Sequence, residues 1–394
     1  MRHRNFRLFF FGQLISLTGS WMQTTAQQWL AYRLTGSQFS LGVITFASFV
    51  PVLILSLFMG VIVDRFPRRR LLLLTQSWFM ILALILAWLT FTGQVTFTHL
   101  VILSLLLGIG NALDMPARQS FFSDLVGRDE LLNAIALNSS VFNGTRIVGP
   151  ALGGLVVGLW GEAAAFLMNG ISYLAVLFGL IGMRLAALPV NHAPTRGWAA
   201  LGEGLSYLRG DRRLLGLVSM VALFSVIGYP YNVLLPALAR DTYGLGAEGF
   251  GGLMAAMGVG ALVAGVSLAI RGEWRGKGRW LLINRWLFSG GVAGLALAPS
   301  LPWAVLALGV SGYAVITQLA ITNTLIQQTA PDHLRGRIVS GYTWALGGFW
   351  PLGALLMGTL GDRLGATTAT GIAAAGSALL ALLGWVWFPE ATEL

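Results

Sequence analysis

The chain has 394 residues, of which only 10% are charged and 56% are hydrophobic, with a formal net charge of +10 and no cysteine. Soluble domains carry about a quarter charged residues, so this composition, with a mean hydropathy of +0.75, excludes an ordinary soluble fold. The lack of cysteine excludes disulfides and thiolate metal sites and leaves the redox compartment unconstrained.

The apolar residues fall into blocks of about 20, each long enough to cross the bilayer core as a helix. Strands of an outer-membrane barrel would be half that length with alternating polarity. The pattern predicts an all-α polytopic membrane protein with twelve transmembrane spans, at 8–32, 40–63, 71–92, 98–118, 137–160, 163–185, 213–239, 247–270, 280–299, 301–325, 338–360 and 365–388. The first span has a basic start at Arg2, Arg4 and Arg7. It is too long for a signal peptide and lacks a small-residue cleavage site, so it is expected to be retained. Within it Ser16, Ser20, Gln23 and Gln27 share one helical face.

The second span ends in GVIVDRFPRRR (60–70), where Asp64 and four arginines lie between two apolar runs. The fourth carries Asn111, Asp114 and Arg118 at spacings of three and four. The fifth carries Asn143 and Arg146 before GPALGG (149–154). Between the sixth and seventh spans, 186–212 is the longest polar segment. Its Trp198, Leu201, Leu205 and Leu208 are spaced for a short amphipathic helix on a membrane surface; a simple linker is the other reading. The seventh span offers Tyr229 and Asn232, the ninth Arg285, and the tenth Gln318 and Thr322. Only a Pro-Ser-Leu-Pro turn (299–302) separates the ninth and tenth spans.

With the N-terminus inside, 20 of the 25 Lys and Arg fall in inner loops or at inner helix ends, and only Arg33, Arg240 and Arg363 in outer ones. This asymmetry predicts a multi-pass protein of the cytoplasmic membrane with both termini cytoplasmic. It also accounts for the net charge without nucleic acid, because the basic residues face anionic headgroups. The segment 186–212 divides the chain into halves 1–185 and 213–394 with faint self-similarity: LGVITFASFV (41–50) against GGLMAAMGVG (251–260), and RIVGPALGGLV (146–156) against GFWPLGALLMG (348–358). Weak repeats about a central loop are expected of transporters whose halves rock around a midplane site.

GVIVDRFPRRR resembles the loop between the second and third helices of the major facilitator superfamily, G-x-x-x-D-R-x-G-R-R. Gly60, Asp64, Arg65, Arg68 and Arg69 match, and Pro67 replaces a glycine. GPALGG, with Gly149, Pro150, Gly153 and Gly154, resembles the helix 5 motif of exporters in that superfamily; Thr145 stands where the motif's earlier glycine is expected. Residues 114–154 are similar to the branch containing enterobactin and macrolide exporters. The resemblance covers the whole chain and implies the major facilitator fold, two pseudo-symmetric six-helix halves.

The resemblance implies further that Asp64 contacts arginine and the start of the eleventh helix, near Ser340–Gly341, latching the halves on the inner side, with Arg118 a plausible partner. The other reading of the cluster is a topology anchor, which explains the arginines but not Asp64. The first, fourth, seventh and tenth helices are implied to line the substrate cavity. This points to Gln23, Gln27, Asn111, Asn143, Tyr229, Asn232, Gln318 and Thr322; interhelical glue is the competing role for each. Asp114 is the one carboxylate clearly inside a predicted span and the candidate for proton coupling. The alternative is a structural pair with Arg118, in a helix closed by Pro116. The chain departs from many drug/proton antiporters here, with no acid in the first span and no arginine-glutamine motif in the fourth. Arg146 is a cavity or gating candidate against an interhelical ion pair, and Arg285 is expected to snorkel to the interface. With few acids to balance them, these arginines suit neutral or anionic amphiphiles better than organic cations.

The expected function is secondary active transport: proton-coupled export of hydrophobic or amphiphilic molecules by alternating access, with a drug, macrolide or siderophore-like substrate. Movement of a lipid or lysophospholipid, not strictly proton-driven, is the alternative. No HExxH sequence, phosphate-binding loop or pair of intramembrane carboxylates suggests an enzyme. No cofactor or metal is expected; the expected partners are substrate, protons and membrane lipids, and the expected state is a monomer.

Overall fold

A computed structural model of the chain describes residues 4–125, 131–184, 207–208, 210–272, 276–331 and 334–387. Among these residues the secondary structure is helical, and the longer helices overlap the predicted spans. In chain order they are α1 (Arg4–Thr35), α2 (Gln38–Arg65), α3 (Arg68–Phe91), α4 (Phe97–Leu125), α5 (Leu131–Trp160), α6 (Glu162–Gly182), α7 (Arg212–Ile227), α8 (Ala247–Arg271), α9 (Lys277–Ala296), α10 (Leu301–Thr329), α11 (Arg335–Leu364) and α12 (Ala366–Trp387). Among the described residues, eight stretches are long and apolar enough to cross a membrane, in α2, α3, α4, α6, α8, α10, α12 and from Arg212 to Thr242. Two other helices carry polar side chains inside: α1 buries Gln13, Gln23 and Gln27, and α9 carries Asn284 and Arg285.

Local chemistry sets the breaks. Gly161 and Gly365 take φ of +80° and +85° directly after α5 and α11. Only glycine accepts that region without strain, so each helix stops there and the next begins at once. Pro67 precedes α3 with φ −57° and ψ 117°. That is a conformation proline favours, so the turn after Asp64 needs no glycine at this position. Ser300 precedes α10, whose first turn contains Pro302, and this separates α9 from α10.

Two expectations are corrected. The seventh predicted span is not one helix. After Ile227 the chain passes through Gly228 into a 3-10 segment, Tyr229–Leu234, and ends in a π-helical turn, Leu238–Thr242. Pro230 and Pro236 lack the N–H that a continuous α-helix requires. Pro116 does not close α4, which runs through it to Leu125. The amphipathic helix expected around Trp198, Leu201 and Leu205 lies outside the described residues; Leu208 is described and buried.

The chain divides into two compact units. The first comprises Met1–Thr35, Ala47–Thr195 and Gly246–Gly252; the second comprises Gly36–Phe46, Arg196–Leu245 and Leu253–Leu394. The start of α2 thus belongs to the second unit and the start of α8 to the first. One core of the first unit gathers Phe9, Leu72, Phe121 and Leu180. There Phe9 meets Phe121 and Phe122 edge-on, with ring centroids 5.5 and 5.3 Å away. The second unit packs Leu214, Leu217, Leu281, Ile326 and Ile338 together. Large apolar side chains such as Trp88, Phe178 and Ile270 stay exposed, as expected where the solvent is lipid and burial of Leu or Phe between helices gains little.

Candidate functional site

The most developed polar site lies inside the first unit, where α1, α3 and α4 meet. Asp114 is 1% exposed in α4. One carboxylate oxygen accepts from the Thr75 hydroxyl at 2.7 Å and from Gln76 Nε2 at 2.8 Å, both on α3. The other accepts from Arg118 Nε at 3.0 Å and from a second guanidinium nitrogen of the same arginine. Arg118 Nη1 continues the network to Gln13 Oε1 on α1, at 2.6 Å. The i, i+4 spacing brings arginine and aspartate onto one face of α4, and donors from α3 and α4 leave neither carboxylate oxygen without a partner. A buried charge is tolerated only with this kind of compensation.

A second polar chain follows α1 toward its C-terminal end. Ser20 lies 3.2 Å from the Tyr173 hydroxyl. Asn169 Nδ2 donates to Gln23 Oε1 at 2.6 Å, and Gln27 Nε2 donates to Ser104 at 2.7 Å. The sequence-predicted stripe Ser16, Ser20, Gln23 and Gln27 is therefore one buried face joining α1 to α4 and α6. Asn111 is partly buried one turn before Asp114. The side chain of Asn143 lies outside the described residues.

The helix 5 motif has a steric reading. A Cβ added at Gly149 would lie 3.0 Å from Thr18 O, and one at Gly153 would lie 2.9 Å from Met22 O. One face of α5 thus rests on the backbone of α1 at a distance that leaves no room for a side chain. Gly154, on the adjacent face, packs on the start of α8, where a Cβ added at Gly251 would lie 2.6 Å from Pro150 O. Arg146, one turn before this surface, sits over the Trp21 ring at 5.9 Å from its centroid.

In the loop cluster, Arg68 donates to Ser120 O at 3.2 Å and Arg69 to Ile181 O at 2.9 Å. The two arginines therefore tie the start of α3 to carbonyls near the ends of α4 and α6, where helix dipoles favour cations. Arg65 is exposed, and Asp64 is partly buried at the end of α2. A Cβ at Gly60 would meet nothing within 4 Å. Arg118, the expected partner of Asp64, is engaged by Asp114 and Gln13.

In the second unit Tyr229 stacks obliquely near Trp350, with centroids 5.8 Å apart. Asn232 Oδ1 and Gln318 Nε2 are buried without a hydrogen-bond partner among the described residues. Thr322 donates to Gln318 O at 2.7 Å. The sequence reading missed Gln13, Thr75 and Gln76 as members of the aspartate network, although each is a polar residue in an apolar helix. It also missed two contacts at helix ends. Arg33 Nε meets Glu162 Oε1 at 2.7 Å, and Asp362 accepts from the Ser37 hydroxyl at 2.6 Å and from the Gln38 amide.

A family model described as transmembrane secretion effector matches residues 1–391. The chain is 24% identical to a staphyloferrin A transporter of Staphylococcus aureus, over 91% of this chain and 90% of that protein. It is 26% identical to the multidrug efflux pump Tap of Mycolicibacterium fortuitum, over 98% and 96%. It is 23% identical to macrolide efflux protein A of Streptococcus pyogenes, over 92% of each. Among solved structures, the nucleoside transporter NupG superposes with a TM-score of 0.76 at 14% identity, covering 98% of both chains. A bacterial homologue of the iron transporter ferroportin gives 0.75 at 16%, covering 99% of both.

Proposed function

Because the chain belongs to the transmembrane secretion effector family of the major facilitator superfamily, we propose that it exports hydrophobic or amphiphilic small molecules by proton-coupled alternating access. The supporting observation is the end-to-end match to relatives named for staphyloferrin A transport, multidrug efflux and macrolide efflux. These relatives favour small-molecule export over movement of lipid between leaflets. In this reading twelve spans form two pseudo-symmetric halves, 1–185 and 213–394, joined by 186–212, with both termini in the cytoplasm.

The glycine face of α5 suits the mechanism. Backbone-to-backbone packing at Gly149 and Gly153 lacks interlocking side chains, so α5 can tilt on α1 without repacking a core. Asp64 at the inner end of α2 latches the inward-closed state. Asp114 is the coupling acid: a proton on it removes acceptor capacity and frees either the α3 donors or Arg118. Substrate meets the polar faces of α1, α4, the broken segment after α7, and α10.

Reconstitution into liposomes tests this reading. A panel of macrolides and other amphiphiles is expected to move against its gradient when a pH gradient is imposed, and Asp114→Asn is expected to abolish that acceleration. A wild type that moves nothing in either direction would sink the exporter reading. Acceleration retained in Asp114→Asn would remove Asp114 from the coupling.

A further inference from the structure

The pattern G-x-x-x-D-R occurs twice in the chain, as GVIVDR (60–65) at the end of α2 and as GTLGDR (358–363) near the end of α11. Asp64 and Asp362 thus hold the same place in two long helices. Each sits at a C-terminal end, where the dipole of its own helix disfavours a negative charge and the N-terminus of another helix would favour it. For Asp362 that other helix is α2. One carboxylate oxygen accepts from the Ser37 hydroxyl at 2.6 Å, and the other accepts from the Gln38 amide. Ser37 directly precedes α2, and its hydroxyl oxygen accepts from the Ser40 amide at 3.3 Å, as an N-cap serine does. The proton of that cap therefore goes to α11.

Around these bonds the two helices meet backbone to backbone. A Cβ added at Gly358 would lie 2.6 Å from Gln38 O, and one at Gly42 would lie 2.5 Å from Ala354 O. All of these residues belong to the second unit, whereas α2 from Ala47 onward belongs to the first. The first turns of α2 are thus the stretch in which one helix passes from one compact unit to the other. Their hold on α11 is of a kind that can part without repacking a core. The glycine faces carry no interlocking side chains, and Asp362 is exposed. With 28 residues, α2 is about 40 Å long, so Asp362 acts at the end opposite Asp64.

We propose that Asp362 is a second latch, reciprocal to Asp64. It seats the start of α2 on the end of α11 and keeps the outer side closed, while Asp64 at the other end of α2 keeps the inner side closed. The two helices pair end to start in both places, so a rocking motion that seats one latch lifts the other. This inference rests on the alternating-access reading above and adds to it the residue that opposes Asp64. A cap serving stability alone would lower the melting temperature and leave the arrangement of α2 on α11 unchanged; a latch shifts the population between two arrangements.

The test is a distance measurement in the full-length chain, reconstituted into liposomes without substrate. The chain has no cysteine, so spin labels attach only where cysteines are introduced. Phe39→Cys and Thr367→Cys replace two exposed side chains that flank the contact. Pulsed electron paramagnetic resonance between them is expected to resolve a short distance, with the latch seated, and a longer one. Asp362→Ala is expected to move the ratio about fivefold toward the longer distance, the shift that the loss of one helix cap sustains. Ser37→Ala removes the hydroxyl and leaves the Gln38 amide bond. It is expected to move the ratio the same way by less, and it serves if Asp362→Ala folds poorly. Adding Asp64→Asn to Asp362→Ala, where the longer distance is populated, is expected to move the ratio back toward the wild type. An unchanged ratio in Asp362→Ala and Ser37→Ala overturns the latch. A further lengthening on adding Asp64→Asn, or no change, overturns its reciprocity with Asp64. Liposomes that show the expected shifts and export nothing would sink the export reading and leave the latch standing. Export with a ratio that no variant moves would do the reverse.

Discussion

Replacing Asp114 by asparagine tests the central network most directly. The carboxylate accepts from Thr75, Gln76 and two nitrogens of Arg118. Asparagine keeps one acceptor oxygen and turns the other position into a donor aimed at the guanidinium. Removing one partner of a buried ion pair costs about 3–5 kcal/mol. Arg118 keeps Gln13 Oε1 at 2.6 Å, and its side chain is 22% exposed, so the low end applies. At about 3 kcal/mol, and about 2–4 °C per kcal/mol for a unit of roughly 200 residues, the melting temperature is expected to fall by about 6–12 °C. Thermal unfolding of the purified protein in detergent measures it, with Arg118→Gln and the double variant completing a cycle. The double variant is expected to recover part of the loss, because it leaves no charge unpaired. Strict additivity, or an Asp114→Asn protein that melts within a degree or two of the wild type, would refute the assignment of the pair as a structural element. The same double variant separates stability from coupling: recovered stability without recovered pH-driven transport keeps Asp114 as the coupling acid.

Three other expectations follow, the first from the proposed latch and the others from the packing. Asp64→Asn is expected to slow export roughly fivefold at normal membrane abundance, since a charge at a helix start is worth about 1 kcal/mol; unchanged initial rates would exclude a latch. Gly153→Ala places a methyl 2.9 Å from Met22 O and is expected to destabilise by about 1–3 kcal/mol and to slow transport, which a melting curve and an efflux assay read separately. Asp362→Ala removes the acceptor for Ser37 and for the Gln38 amide at the start of α2. A lost cap costs about 1 kcal/mol, so a fall of about 2–4 °C in melting temperature is expected.

The length and spacing of the apolar blocks made the helices legible, because a bilayer imposes one dimension on every span. Where the helices break was also written in the chain, as Gly161, Gly365 and the Gly228–Pro230 pair, although the sequence reading took the last as an unbroken span. Hydropathy averages over a window and does not register one missing N–H. The α1 stripe was legible as a face, since helical periodicity is a local property. Its partners were not: Gln23 bonds Asn169 across 146 positions, and Gln27 bonds Ser104 across 77. The Asp114–Arg118 pair is local and readable, whereas Thr75, Gln76 and Gln13 join it only when three helices converge.

The sequence by itself determined that this is a helical membrane protein of the major facilitator superfamily, because composition, periodicity and the loop motif are properties of contiguous residues. Only the tertiary structure decided which partners the charged and polar residues inside the spans meet. Arg118 pairs with Asp114, and the helix 5 glycines lie close against α1. Each of these depends on which helix faces come together. That is a matter of packing between segments far apart in the chain, and no local pattern encodes it.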